Sequence, residues 1–487
     1  MGKGKYIRNT LVYTILGFIP LASSFLLTPI FTYRLSLADY GFIALATIFQ
    51  TYLSFFIGFG IDSGFSRFYF KYFRKPQLTS ALFSTTLVSI VSVALIVLVM
   101  LQFSGAFLFS MFFTDVNFRF SEYGNLIFIN SLFTLIYSLY AQFYRDRENV
   151  KSFTFLAITY FTLVTVGSLL GLFYIGGPKG VLIGRTVGTV ITTGIFLINF
   201  YSGNKMVFKW SYAKEMYLFG YPMLFYGLLS TSFESIDRFL INHYSSLTKV
   251  GEYNLALVIV SVTGIIINSL NSALGPSLLK IFSEKDAQNG NRISSIYRMM
   301  LASTLLVSTL CIALAAPVVY FAINASYHGC VIYIPALAMA FVFRVYYIFY
   351  SNPLFFNYKT GFLPLINLIS VGVGLVTGIA FIKLWGMAGV CAAVFAIKAT
   401  QAGMAYIFIR RSGYYQKSDY RVEKLNGLFM FLSAFIVIIM ILQTIYKKEN
   451  PAINTLPFIL SVIYIGRLYL KGYFVNDKKE IIVSSPS

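Results

Sequence analysis

Apolar residues in this chain do not follow the three-to-four-residue rhythm of a helix lying on a soluble core. They come in long, nearly uninterrupted runs, which read as helices surrounded by hydrocarbon. About 20 mostly apolar residues suffice to cross a bilayer. Such runs fall near 11–31, 42–61, 82–103, 124–143, 153–174 and 180–200, then near 217–243, 252–274, 296–322, 331–350, 362–382 and 387–409, with a final pair near 425–446 and 454–470. The pattern predicts an all-α integral membrane protein of about 14 transmembrane helices. The first run contains Pro20 and Pro29 and lacks a small-residue cleavage site, so it reads as a span and not as a cleavable signal peptide.

Composition agrees with this reading. Of 487 residues 57% are hydrophobic and 11% charged, whereas a soluble domain carries roughly 25% charge. The 38 Lys and Arg outnumber the 17 Asp and Glu, giving +21, a balance that in a soluble chain would point to nucleic acid. Here topology explains it, and no nucleic-acid partner is expected. With both termini cytoplasmic, 26 of the cations fall in cytoplasmic segments and 7 in external ones, the bias expected of short loops flanking spans. The remaining five, Arg185, Arg238, Arg344, Lys398 and Arg467, lie inside apolar runs. Cys311, Cys330 and Cys391 are too scattered for a disulfide framework or a metal site. Two His and the absence of a phosphate-binding G-x-x-x-x-G-K-[ST] loop exclude histidine-metal chemistry and ATP hydrolysis by the chain itself, so no cofactor is expected.

Ser36-Leu37-Ala38-Asp39-Tyr40-Gly41, after the first run, matches Lys249-Val250-Gly251-Glu252-Tyr253-Asn254, after the seventh, at an offset of 213 residues. Six runs separate the copies, so both halves would enter from the same side. This pattern predicts a parallel repeat with a central cavity. Alternatively, an acid, a Tyr and a small residue simply make a good helix start. The predicted organisation is an N-lobe over 1–206, a C-lobe over 207–410, and two extra helices with a cytoplasmic tail over 411–487.

Tyr33-Arg34-Leu35-Ser36-Leu37-Ala38-Asp39-Tyr40-Gly41, Gly58-Phe59-Gly60-Ile61-Asp62-Ser63-Gly64-Phe65-Ser66-Arg67-Phe68-Tyr69 and Ile236-Asp237-Arg238-Phe239-Leu240-Ile241 carry a family resemblance. The chain resembles the polysaccharide transporter family, which includes the O-antigen flippases and belongs to the multidrug/oligosaccharidyl-lipid/polysaccharide exporter superfamily. The resemblance implies a flippase of the bacterial inner membrane. It would move an undecaprenyl-pyrophosphate-linked oligosaccharide from the cytoplasmic to the periplasmic leaflet by alternating access of two six-helix lobes. The partners implied are that lipid-linked oligosaccharide, the bilayer, and a glycan polymerase with its chain-length regulator.

The residues suit such a load. A charge inside a span costs about 2.5–3.5 kcal/mol on insertion scales, so it faces a cavity or a partner. Arg185, Arg344 and Lys398 have no acid at helical spacing and are read as facing a cavity. With Arg238, Arg34 and Arg67 they would form a ladder of cations for a pyrophosphate that cannot cross hydrocarbon unpaired. Competing readings stay open: Arg238 pairs with Glu234 at i, i+4, Arg34 and Arg67 anchor helix ends, and Arg467 snorkels to the interface. Asp62, after Gly58 and Gly60, serves a helix break or a proton relay, and Asp237 bonds within its own lobe. Pro20, Pro29 and Pro222 mark the first and seventh runs as gate helices or as static kinks. Tyr137, Tyr140, Tyr144, Tyr346, Tyr347 and Tyr350 are candidates to stack on sugars or members of an interfacial belt.

Two functional alternatives remain within the superfamily. One is a flippase for another lipid-linked glycan, such as a capsule, exopolysaccharide, teichuronic acid or peptidoglycan precursor. The other is an ion-coupled multidrug exporter, which calls for intramembrane acids where this chain has cations. A membrane enzyme acting on sugars would need paired carboxylates or a metal, and neither stands out in the sequence.

Overall fold

The computed structural model describes residues 19–72, 76–115, 117–283, 289–357, 359, 361–413, 422–446 and 451–474. These residues form fourteen α-helices and one 3-10 turn, with no strand among them. The chain divides into two compact units, Met1–Asn254 and Leu255–Ser487. The first unit holds α1 (Ile19–Arg34), α2 (Leu37–Gly58), α3 (Ile61–Tyr72), α4 (Pro76–Phe112), α5 (Phe120–Asp146), α6 (Val150–Tyr174), α7 (Gly177–Gly203), α8 (Trp210–Tyr244) and the opening turns of α9 (Leu247–Ser283). The rest of α9 belongs to the second unit, with α10 (Asn289–Ala322), the 3-10 turn (Ala325–Tyr333), α11 (Ile334–Phe356), α12 (Phe362–Arg411), α13 (Glu423–Tyr446) and α14 (Pro451–Leu470).

Ten of these helices are long and apolar enough to cross a membrane. The other four are α1, α3, α8 and α13. Only 16 residues of α1 are described, because residues 11–18 of the first predicted run lie outside the described residues. In the 35 residues of α8 the uncharged stretch between Glu215 and Glu234 is rich in Tyr, Gly, Ser and Thr and contains Pro222, which lowers its hydropathy. The 50 residues of α12 contain two predicted runs, divided where Gly386 adopts φ 57° and ψ −134°, a conformation that costs little only without a Cβ. The predicted run 42–61 likewise breaks at its end, where Phe59 (φ 47°) and Gly60 (φ 80°) turn left-handed. Arg67 therefore belongs to the short helix α3 and not to the span before it.

In lipid the hydrophobic effect does not press helices together, so small residues that permit close approach take its place. The antiparallel pair α6 and α7 shows this most fully. Gly167 meets Gly184, Gly171 meets Gly180, and Gly188 meets Leu163, each so closely that an added Cβ would overlap the partner's backbone. Buried threonine hydroxyls of α7 are satisfied locally. Thr186, Thr189, Thr192 and Thr193 of α7 each donate to the carbonyl one turn back, at 2.7–2.9 Å.

The two matched segments at the starts of α2 and α9 pack directly on each other. A Cβ on Gly41 would strike the Leu247 carbonyl, and one on Gly251 the Leu37 carbonyl. This reciprocity pairs Leu37 with Leu247 and Gly41 with Gly251 across the crossing, an offset of 210 beside the 213 of the sequence match. Ser36 caps α2 by accepting from the Asp39 amide at 3.1 Å, and Ser246 accepts from the Lys249 amide at 3.3 Å. Both helices thus open with Ser-Leu-x-x-x-Gly.

In the second unit, the stretch after α14 is held against α10. The Arg298 guanidinium donates to the Tyr473 carbonyl and lies 4.8 Å from the Tyr473 ring centre. Lys424 lies 5.2 Å from the same ring centre, and the Ser295 hydroxyl donates to the Phe474 carbonyl at 2.9 Å.

Replacing Gly184 by Leu forces apart α6 and α7 and lowers stability by about 1–3 kcal/mol or more. Gly194→Ala, on the same helix with nothing within 4 Å of its added Cβ, raises it by up to about 1 kcal/mol. Thermal unfolding of the detergent-purified protein measures both.

Candidate functional site

The glycine seam between α6 and α7 fixes where Arg185 points. Gly184 faces α6, and the next residue lies about 100° around the helix, on the side turned to α2. There the Arg185 guanidinium donates to the Thr47 hydroxyl at 3.3 Å. A guanidinium has several N–H donors to satisfy, yet no carboxylate forms an ion pair with Arg185 among the described residues. Its depth makes that notable: Arg185 lies about 12 Å from the start of α7, and Thr47 about 15 Å from the start of α2.

Around it, four helices contribute polar side chains at similar depth. On α2, Thr47, Gln50, Thr51 and Ser54 follow the i, i+3, i+4, i+7 spacing of one face. Gln50 donates to Thr134 at 3.2 Å, Thr134 to Asn130 at 3.4 Å, and Asn130 back to Gln50 at 3.1 Å, a closed circuit between α2 and α5. One turn beyond Thr134, the ring of Tyr137 stacks on Tyr160 of α6, centres 3.8 Å apart. Arg185 and its neighbours thus form a hydroxyl- and amide-rich wall carrying one cation.

The other sequence-predicted residues distribute themselves differently. Arg34, at the exposed end of α1, stacks on Phe173 at 5.1 Å, and Arg67 stacks on Phe219 at 4.3 Å. Arg238 meets the carboxylate of its neighbour Asp237 at 3.4 Å and donates to the main-chain carbonyl of Glu234. Asp237 also accepts from the buried Tyr253 hydroxyl at 2.6 Å, which ties α8 to the start of α9. Asp62 sits at the first turn of α3 with its carboxylate against the Ser63 amide, the geometry of a helix start. Pro29 lies within α1 and Pro222 within α8, while Pro20 is in the described opening of α1. Two residues after Gly220, whose backbone abuts Gly60, Pro222 falls beside the closest crossing of α8.

In the second unit, Lys398 is buried on α12, 5.2 Å from the ring centre of Phe341, which lies one turn before Arg344 on α11. Tyr346 donates to Asn426 at 2.7 Å, and Tyr350 packs on Tyr406, with Tyr347 on the same helix. Tyr140 is fully buried against Phe83, Phe196 and Phe200, and Tyr144 joins that cluster through Tyr140 and Phe143. Both belong to the aromatic core. A groove of about 360 Å³ runs between α13 and α14, lined by Phe431, Leu460, Ile463 and Tyr464, with Arg467 also in its wall.

The sequence reading passed over Thr47, Gln50, Thr51, Asn130, Thr134 and Tyr160. The signal was present, because four polar residues at helical spacing interrupt the apolar run 42–61.

The arrangement, an all-helical membrane chain with a lone arginine on a polar wall, agrees with the sequence match. Residues 6–282 match the family model for "Polysaccharide biosynthesis protein". The chain belongs to that family. No curated protein matches the sequence. Among solved structures, the lipid II flippase MurJ in an inward closed conformation shares 14% identity at a TM-score of 0.67, with 96% of this chain and 98% of that chain covered. The MATE multidrug transporter DinF-BH shares 16% at 0.58, covering 84% and 95%. An outward-facing MATE transporter of the MOP superfamily shares 12% at 0.56, covering 87% and 96%. At such identities the likeness is one of fold.

Stability separates the two kinds of charged residue in this family member. Asp237→Ala leaves the buried Tyr253 hydroxyl without its acceptor and costs about 1–3 kcal/mol. Arg185→Gln removes an uncompensated charge and leaves the melting temperature unchanged or higher. Thermal unfolding of both variants checks this; an equal loss in each would mark Arg185 as structural.

Proposed function

We propose that this protein is a flippase that carries an undecaprenyl-pyrophosphate-linked oligosaccharide of the O-antigen type across the bacterial inner membrane by alternating access. The observation that carries the proposal is Arg185. Its guanidinium, on a residue about 12 Å along α7, has a single 3.3 Å bond, to Thr47 of α2. A cation maintained there at a cost of some kcal/mol is accounted for if an anion completes it. A diphosphate supplies charge-assisted bonds in numbers a hydroxyl cannot. Family membership supports a role in polysaccharide biosynthesis, and the MurJ-like fold supports movement of a lipid-linked precursor.

In this reading Lys398 and Arg344 are the second lobe's own cations for the cargo. Arg238, Arg34 and Arg67 act mainly through the neighbours they touch. The groove between α13 and α14 offers an apolar berth for a prenyl tail. Orientation follows from the loop charges: both termini cytoplasmic, with α2, α5 and α7 starting at the periplasmic face. The lobes are those of the predicted repeat, 1–206 and 207–410, followed by the two extra helices over 411–487.

Deleting the gene in its host and profiling polyprenyl lipids by mass spectrometry tests the proposal. The expected result is one undecaprenyl-linked oligosaccharide trapped on the cytoplasmic leaflet, cleared by the wild-type gene and by no more than a tenth as much with Arg185→Ala, an order-of-magnitude loss of about the size of one charge-assisted contact. Accumulation of a capsule or cell-wall precursor instead would redirect the substrate. No accumulation, together with new sensitivity to cationic drugs, would turn the reading to a multidrug exporter.

A further inference from the structure

Taken on the flippase reading above, the polar wall beside Arg185 has more than an anion's worth of chemistry. The face of α2 formed by Thr47, Gln50, Thr51 and Ser54 extends over about 10 Å, in a helix otherwise apolar enough to span. Thr47 and Thr51 spend their hydroxyl protons on carbonyls one turn back, both at 2.9 Å, so each oxygen acts as an acceptor, that of Thr47 already for one bond from Arg185. Gln50 is fixed by the circuit with Thr134 and Asn130, which leaves one amide N–H free to donate and the remaining lone pair of its carbonyl free to accept. Thr47 is exposed, and Gln50 and Thr51 are half-buried, so the stripe is accessible. A fixed alternation of acceptors and a donor suits vicinal hydroxyls, each of which both donates and accepts. It does not suit a drug-like cation, which brings no need for hydroxyl partners, nor a bare prenyl diphosphate, which Arg185 alone satisfies.

We propose that the Thr47–Gln50–Thr51 face of α2 is a sugar subsite that holds the pyranose nearest the diphosphate, with the diphosphate on Arg185. The adjacent Tyr137–Tyr160 stack closes the same wall and limits the subsite on its α5 and α6 side. The circuit with Asn130 and Thr134 keeps the Gln50 amide from turning, so selectivity lies in the orientation of a sugar hydroxyl or acetamido group and not in its mere presence. The subsite is incomplete without α5, because Asn130 is almost fully buried beneath Gln50 and is the residue that holds it.

Direct binding to the full-length protein in lipid nanodiscs distinguishes the parts, using undecaprenyl diphosphate and undecaprenyl diphosphate–N-acetylglucosamine as probes and native mass spectrometry as the readout. The wild type should bind the glycosylated probe about tenfold more tightly, the scale of one or two net hydrogen bonds. Gln50→Leu and Thr51→Val should abolish that preference while leaving affinity for the bare diphosphate intact. Thr51→Val is nearly isosteric and its hydroxyl bonds only within α2, so it reports even where Gln50→Leu folds poorly. Arg185→Gln should weaken both probes about equally, by tenfold or more. A wild type without preference, or a preference that survives both α2 variants, overturns the subsite while leaving the flippase reading standing. Failure of the wild type to bind either probe removes the flippase reading itself, and the subsite with it.

Discussion

Hydrocarbon offers neither water to a stray hydrogen bond nor an entropic push between apolar surfaces, and this constraint organises the whole chain. It explains why the described residues are mostly helical and why many of their hydroxyls bond backward to carbonyls one turn earlier. It also explains why the tightest crossings are made by glycine. At Gly167–Gly184 and Gly171–Gly180 two backbones come near enough for dispersion to accumulate along a seam. At Gly41–Gly251 and Gly60–Gly220 the same device brings α2 and the turn after it against α9 and α8. Position in this protein is set by where a side chain is missing.

That logic carries over to Arg185. No carboxylate among the described residues draws it to its place. It stands where it does because Gly184, its predecessor, must face α6, and the helical repeat then turns residue 185 toward Thr47. A rigid, glycine-welded hairpin is a suitable mount for a charge that has few bonds of its own, since a looser helix would rotate the guanidinium to the headgroups. The neighbouring Gln50–Thr134–Asn130 circuit is likewise closed upon itself and so rigid before any ligand arrives.

Much of this was legible in the sequence. Apart from residues 11–18, which lie outside the described residues, the predicted runs fall on helical segments, and the cations within apolar runs were visible as anomalies. The breaks were harder to read. Gly60 and Gly386 are ordinary glycines in a sequence with 36 of them, and only the backbone reveals which ones turn left-handed. The crossing pairs Ser36-Leu37 with Ser246-Leu247, letters less distinctive than the Asp39-Tyr40 and Glu252-Tyr253 that carry the sequence match. Periodicity announced an apolar α2 so strongly that its polar stripe was averaged away. Tyr140 and Tyr144 were indistinguishable from Tyr137 by type and depth, and only packing separates two core rings from one on the polar wall.

The contrast between Arg238 and Arg185 then bears on how a site is recognised in a membrane transporter. Arg238 has a carboxylate, a carbonyl, and through Asp237 a buried tyrosine hydroxyl; its charge is consumed in holding α8 to α9. Had Arg185 been equally satisfied, an arriving anion would have to break those bonds before forming its own, and little net affinity would remain. Had it been wholly bare, the helix would scarcely insert with it in place. One weak bond to a hydroxyl is the intermediate case: enough to orient the guanidinium, and little enough to surrender to a diphosphate and to recover when the cargo leaves. In a protein whose substrate must depart as readily as it enters, incomplete satisfaction of a well-held charge is therefore the more telling mark of the binding site than charge alone.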